Sequence, residues 1–110
     1  MNVNELIEKT GWKCLNHPAD LSKNVNGVFC GDLLSWVMGK GQPEQAWITV
    51  QVHINSVAVA VLREFSCIVF ADEAAVTEEI IRKADEENLP LLASSLPVYE
   101  TAEKLMELGL

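Results

Sequence analysis

Between Ile48 and Ile54 apolar residues alternate with Thr49, Gln51 and His53, the period of two that marks a half-buried strand. From Val57 onward the apolar positions follow a helical spacing. The pattern on either side decides where the change falls. Ala46 to Val50 reads as one strand, and Ser66 to Ala71 (SCIVFA) is a short apolar run of the kind that forms a parallel strand covered on both faces. Successive parallel strands need a crossover of about a dozen residues, and only residues 53 to 65 can supply it. Val57, Val61 and Leu62, with Ala58 and Phe65, make the apolar face of such a helix. Its valines lower helix propensity by about a few tenths of a kcal/mol each, much less than burial of that face returns. The chain is therefore predicted to turn near Val52 to Asn55.

The remaining pattern extends this alternation. Asn2 or Asn4 can cap a first helix running through Lys9, with Leu6 and Ile7 inward and Gly11 as its stop. Trp12 to Leu15 and Val25 to Cys30 read as strands, Asn16 to Asn24 as a loop, and Leu33, Leu34, Val37 and Met38 mark a short helix. Residues 39 to 43 form a turn cluster. Val76 to Glu87 is an amphipathic helix that Thr77 can cap, with Glu78 and Glu79 placed to reach Arg82 and Lys83 at i+4. Asn88 and Pro90 end it. Leu91 to Ala93 is a short strand, and Pro97 opens a last helix through Leu108. Strand and helix in alternation imply α/β architecture. The expected fold is one domain over residues 1 to 110, in three layers, with a mainly parallel sheet of about five strands and helices on both faces.

Composition narrows the function classes. In 110 residues 49% are hydrophobic and 22% charged, which suits a packed domain and argues against disorder. The formal charge of −8, with Lys and Arg scattered, excludes nucleic acid and an anionic membrane surface as expected partners. The N-terminus lacks a signal-peptide core, and no run approaches the ~20 apolar residues of a membrane span, so the expected location is cytoplasmic. Cys14, Cys30 and Cys67 form no CxxC and read as small buried hydrophobes in strands. The sequence carries no GxSxG, P-loop or GxGxxG, and His17 carries no motif. No catalytic residue is assigned, and neither a cofactor nor a metal is expected.

In an open parallel sheet ligands gather at the carboxyl ends of strands, beside helix N-termini. The residues there are Gly31 and Asp32, Gln51 to Asn55, Asp72 and Glu73, and Ser94 and Ser95. Asp32, Gln51, His53, Asn55, Ser94 and Ser95 are thus candidate ligand-binding residues for a neutral or weakly charged molecule. A polyphosphate fits less well, because this rim has no Lys or Arg and holds three acids, and a helix end contributes only about 0.3–1 kcal/mol. His53 with Asp32 and Asp72 is a weak metal-ligand set. The alternative reading is structural: Asn55 or Ser56 caps the crossover helix, Ser94 or Ser95 caps the last one, and Gln51 and His53 stiffen the junction through backbone hydrogen bonds.

The segments VNGVFCGDLLSWVM (25–38), AWITVQVHINSVAVAVL (46–62) and ENLPLLASSLPVYETAEKLMELG (87–109) resemble the DRTGG domain family over nearly the whole chain. The most specific feature is the Gln51-x-His53-x-Asn55 spacing before an alanine-valine helix. DRTGG domains occur in phosphotransacetylases and in pyrophosphatases carrying CBS domains, and are distantly related to the N-terminal part of HPr kinase/phosphorylase. The resemblance implies a regulatory or assembly module without catalytic activity. It also implies a homodimer that acts on a partner enzyme, with a redox or hydrogenase context for some members. Sensing of an adenine nucleotide or another small ligand is the alternative. The chain departs from the family at its namesake stretch, with Ser22-Lys23 where an Asp-Arg pair is usual and Val28 where a second glycine is common. Trp36 stands where a small or acidic residue is usual. It is a candidate partner contact, its alternative being a Trp packed into its own domain.

Overall fold

Asn2 is the residue that starts the chain's regular structure. Its carboxamide oxygen accepts from Glu5 N at 2.8 Å while Glu5 returns a bond to Asn2 N, a capping box that opens α1 (Val3–Thr10). Gly11, at φ +72°, closes the helix in the left-handed conformation that suits glycine. The computed structural model describes residues 1–18 and 20–110; Ala19, in the stretch read as a loop, lies outside the described residues. After α1 the order is β1 (Lys13–Cys14), β2 (Gly27–Cys30), α2 (Leu34–Lys40), β3 (Gln45–Thr49), α3 (Ile54–Leu62), β4 (Cys67–Phe70), α4 (Glu78–Glu86), β5 (Leu91–Ala93) and α5 (Val98–Glu107).

The five strands form one sheet in the order β1-β5-β4-β3-β2. Strands β2 to β5 are parallel, with Phe29 opposite Trp47, Trp47 opposite Ile68 and Ile68 opposite Leu91. The expected crossover helix is α3, and the turn before it spans Val50 to His53. Strand β1 runs antiparallel on β5. Its attachment is completed by a side chain: the buried Asn16 carboxamide donates to Leu89 O at 2.8 Å and accepts from Leu91 N at 2.9 Å. It thereby serves backbone groups on either side of Pro90, which has no N–H of its own.

Alternation along the central strands divides the core in two. Ala46, Ile48, Cys67, Val69 and Leu92 pack with Val3 and Leu6 of α1 and Leu105 of α5. Trp47, Ile68, Phe70 and Leu91 pack with Val37 of α2, Val57 and Ala60 of α3, and Ile80 and Ala84 of α4. The fold is thus the three-layer α/β arrangement read from the sequence. Fully burying a side chain such as Val57 contributes about 1.5–3 kcal/mol, which outweighs the modest helix propensity of α3. Gly41 ends α2 against the Phe65 ring, where a Cβ would collide with the ring carbons.

Three local expectations are corrected. Of the apolar face read for α3 only Val57 and Phe65 are buried; Ala58, Val61 and Leu62 are exposed, and Ala60 takes the inward position. Lys83 pairs forward with Glu86 (3.8 Å) and Glu87 (3.5 Å) instead of back with Glu79, since two carboxylates on that side compete against one. Cys30 is exposed, unlike the buried Cys67 and half-buried Cys14, because β2 is an edge strand.

Candidate functional site

At the carboxyl ends of the strands the candidate residues are tied into the backbone that surrounds them. Asp32 follows β2, and its Oδ1 accepts from Thr49 Oγ1 at 2.7 Å and Val50 N at 2.9 Å. The carboxylate therefore clamps the end of β3. Thr49 Oγ1 in turn accepts from Gln51 N at 3.0 Å, and Gln51 O accepts from Ser56 Oγ at 3.2 Å. His53, extended at φ −140° and ψ 143°, is the N-cap of α3: its Nδ1 accepts from Asn55 N at 2.9 Å. Nδ1 is thus the unprotonated ring nitrogen. The cap falls on His53, not on Asn55 or Ser56, because the helix already begins at Ile54.

Asp32, Gln51, His53 and Asn55 are therefore gathered on one junction, joined through Thr49, Val50 and Ser56. The side-chain amides of Gln51, half-buried, and Asn55, exposed, form no hydrogen bond to other described residues. Ser94 lies further along the same end of the sheet and is buried. Its Oγ lies 2.9 Å from Thr101 Oγ1 and accepts from Leu96 N at 3.1 Å, while Thr101 Oγ1 donates to Leu96 O. This network closes the β5–α5 turn. Neither serine caps α5, whose N-cap position is Pro97. Ser95 is exposed. Asp72 and Glu73 adopt left-handed φ values of 57° and 55°, held by Asp72 N donating to Leu96 O and Glu73 N to Ser94 O.

The charges nearby act on one thiol. Although Cys30 is exposed as a residue, partial desolvation of its sulfur first, and then the Asp32 carboxylate, raise its thiol above the ordinary range. Burial pushes Cys67, inside β4, up to about 12. Among the described residues no group of three His, Cys, Asp or Glu is arranged to hold a metal ion. Trp36 on α2 is 60% exposed, with Lys40 Nζ 5.4 Å from its ring centroid. It is an exposed residue with a cation over one face.

Hollows occur elsewhere. At the amino ends of the strands a cleft of about 420 Å³ is lined by Lys23, Asn24, Glu44, Glu64, Phe65 and Glu87 among others. Glu44 and Glu64 both have left-handed backbone (φ 65° and 58°), and Glu44 N donates to Glu64 O at 3.0 Å. Lys23, in the stretch that departs from the DRTGG pattern, donates to Asn88 O at 3.1 Å, and Ser22 hydrogen bonds hold the Asp20 carboxyl below its usual range. A second cleft, about 370 Å³, lies between β2 and α5, lined by Val28, Cys30, Tyr99 and Met106. Sequence reasoning missed both. The first depends on left-handed glutamates that leave no residue-type signal, and the second on which strand lies at the sheet's edge.

No family profile matches the chain, and no curated protein does. Among solved structures the chain is similar to the crystal structure of the CBS and DRTGG domains of the regulatory region of Clostridium perfringens pyrophosphatase, complexed with its activator diadenosine tetraphosphate. The match has a TM-score of 0.73 at 12% identity and covers 94% of this chain and 45% of that one. At that identity the likeness is one of fold. No helix among the described residues is long and apolar enough to cross a membrane. The chain has a fold similar to that of a region built from CBS and DRTGG domains, consistent with the DRTGG-like domain that its sequence resembles.

Proposed function

We propose that this chain is a non-catalytic regulatory or assembly module that forms a homodimer and acts by contacting a partner enzyme. The observation that carries this reading is the likeness of fold, over 94% of the chain, to part of the regulatory region of a pyrophosphatase. The chemistry of the rim agrees with it. Asp32 and His53, the two groups there best suited to acid or base work, hold the start of α3 and the end of β3 in place. A redox or hydrogenase-type partner is the context that the sequence resemblance adds. Sedimentation at tens of micromolar with a pull-down from native extract tests the reading. A dimer that retains one enzyme reproducibly is the expected result; a monomer that retains nothing overturns it.

A second reading is favoured by one finding, the diadenosine tetraphosphate bound in the pyrophosphatase regulatory region. Under it the chain senses an adenine nucleotide or another small ligand at the Asp32, Gln51, His53, Asn55, Ser94 and Ser95 rim, where the free amides of Gln51 and Asn55 would read a base edge. Charge weighs against a polyphosphate both at this rim and in the acid-lined cleft at the opposite end, where Lys23 faces Glu44, Glu64 and Glu87. A thermal-shift screen with AMP, ADP, ATP and diadenosine tetraphosphate decides. A ligand at 100 times its dissociation constant adds about 2.7 kcal/mol of stability. No shift with any of the four, with or without Mg²⁺, removes the nucleotide.

A further inference from the structure

We infer that the open edge of β2, with the groove between it and α5, is the surface on which two copies of this chain associate. The inference rests on the homodimer proposed above and names its interface. In the sheet order β2 has a neighbour on one side only. Gly31 N donates to Ile48 O of β3, and alternate residues of a strand share a hydrogen-bonding edge, so Phe29 also faces β3. Val28 and Cys30 consequently present their backbone N–H and C=O groups outward. Such an edge is a template for pairing with another strand unless charge, proline or a covering element protects it. Here the sequence from Val25 to Met38 contains a single charged residue, Asp32, whose carboxylate is engaged with Thr49 and Val50.

Apolar side chains continue the edge on either face. Tyr99 and Met106 of α5, 74% and 66% exposed, line the groove with Val28 and Cys30. On the other face Leu33 and Trp36, 67% and 60% exposed, follow β2 directly in the chain. A fully exposed aromatic side chain presents about 150–250 Å² and a leucine or methionine somewhat less, so at their exposures these four together present on the order of 500 Å². With the strand itself added, that approaches the roughly 600–1,000 Å² per partner of a stable interface. The occupant we commit to is a second copy, since this patch carries little of the chain's formal charge of −8 and its area approaches what a stable dimer needs. One exception sharpens the test. Glu103 lines the groove, and a two-fold contact that brings two copies of one patch together also brings two copies of this carboxylate.

The experiment is analytical ultracentrifugation of the full chain from 1 to 200 μM, with iodoacetamide as the probe of Cys30. The wild type should dimerise. Tyr99→Glu combined with Met106→Glu should weaken association at least tenfold. Both positions are exposed, so the double variant should keep its fold, which circular dichroism checks. Glu103→Gln should tighten association several-fold, a gain that misfolding does not produce. Cys30 alkylation should slow at least fivefold as the wild type becomes dimeric, and keep one rate across that range in the double variant. A dimer unmoved by both sets of substitutions overturns this surface and leaves the homodimer standing. A wild type still monomeric at 200 μM overturns the surface and the homodimer together.

Discussion

The two ends of the sheet use polar residues in opposite ways. At the carboxyl ends Asp32, Thr49, His53, Ser56 and Ser94 direct their polar atoms into neighbouring backbone or side chains. At the amino ends Lys23, Glu44, Glu64 and Glu87 surround a hollow of about 420 Å³. Strand polarity alone points to the first as the place for a ligand, because helix N-termini converge there. The structure separates two things that this rule joins: converging donors and available volume. Where the turns are as short as Val50 to His53, polar side chains become part of the turn.

The comparison can be broken by substitution, starting with the largest effect. Cys67 and Cys30 sample the two ends: Cys67 begins β4 and Cys30 ends β2. Below pH 9 the Cys67 thiol is neutral whether the chain is folded or not and adds no pH dependence. Between pH 9 and about 12 only the unfolded chain loses that proton readily, so stability falls as pH rises. The fall reaches on the order of 3 kcal/mol by pH 11, and in Cys67→Ala most of it should be absent, the remainder including the smaller contribution of Cys30. Urea unfolding from pH 8 to 11, wild type against variant, measures the difference.

Asn16→Ala should cost nearly as much, about 2–4 kcal/mol, because it strips partners from the buried Leu89 O and Leu91 N at once. Urea midpoints at pH 7 give that number. A loss below 1 kcal/mol would mean that water replaces the carboxamide.

At the other end Asp32→Ala should cost about 2 kcal/mol, through two charge-assisted bonds to Thr49 and Val50. Asp32→Asn carries a second readout. Removing the charge lowers the Cys30 pKa, so iodoacetamide at pH 8 should alkylate Cys30 faster than in the wild type, while buried Cys67 stays unreactive in both. Smallest is His53→Ala, at about 1 kcal/mol for a lost N-cap. His53→Asn should restore most of it, since Asn caps well. If His53→Asn keeps stability but loses a nucleotide-induced thermal shift, the imidazole has a role beyond capping. Equal behaviour in both measurements confines it to the helix start.

The fold was largely legible because its signals are local. The change of period at Val52 to Asn55, the apolar run SCIVFA and the caps Asn2 and Thr77 each depend on a few adjacent residues. The antiparallel placement of β1 was not legible, since a two-residue strand has too little pattern to declare a direction. Of the site, the sequence placed Gln51, His53 and Asn55 on one junction, and the structure keeps them there. That His53 would be the cap was hidden, because His is a poor cap by residue type and the choice depended on the first helical residue. The exposure of Cys30 was hidden too, as it follows from strand order, which is a long-range property; for Trp36 the structure selects the exposed one of two readings.

The tie between Asn16 and the start of β5 also bears on how the chain is made. The strands β2 to β4 find their neighbours within one crossover, soon after each is synthesised. Within these 110 residues β1 is made before the other four strands, and its anchor joins residues 75 positions apart. Contacts that close so long a loop form late and slowly. Until β5 and α5 have emerged, Trp12, Val3 and Leu6 lack Leu92 and Leu105 of the core they will share. Val3, Leu6 and Trp12 therefore depend on what holds nascent apolar surface apart until the last strand and helix are made.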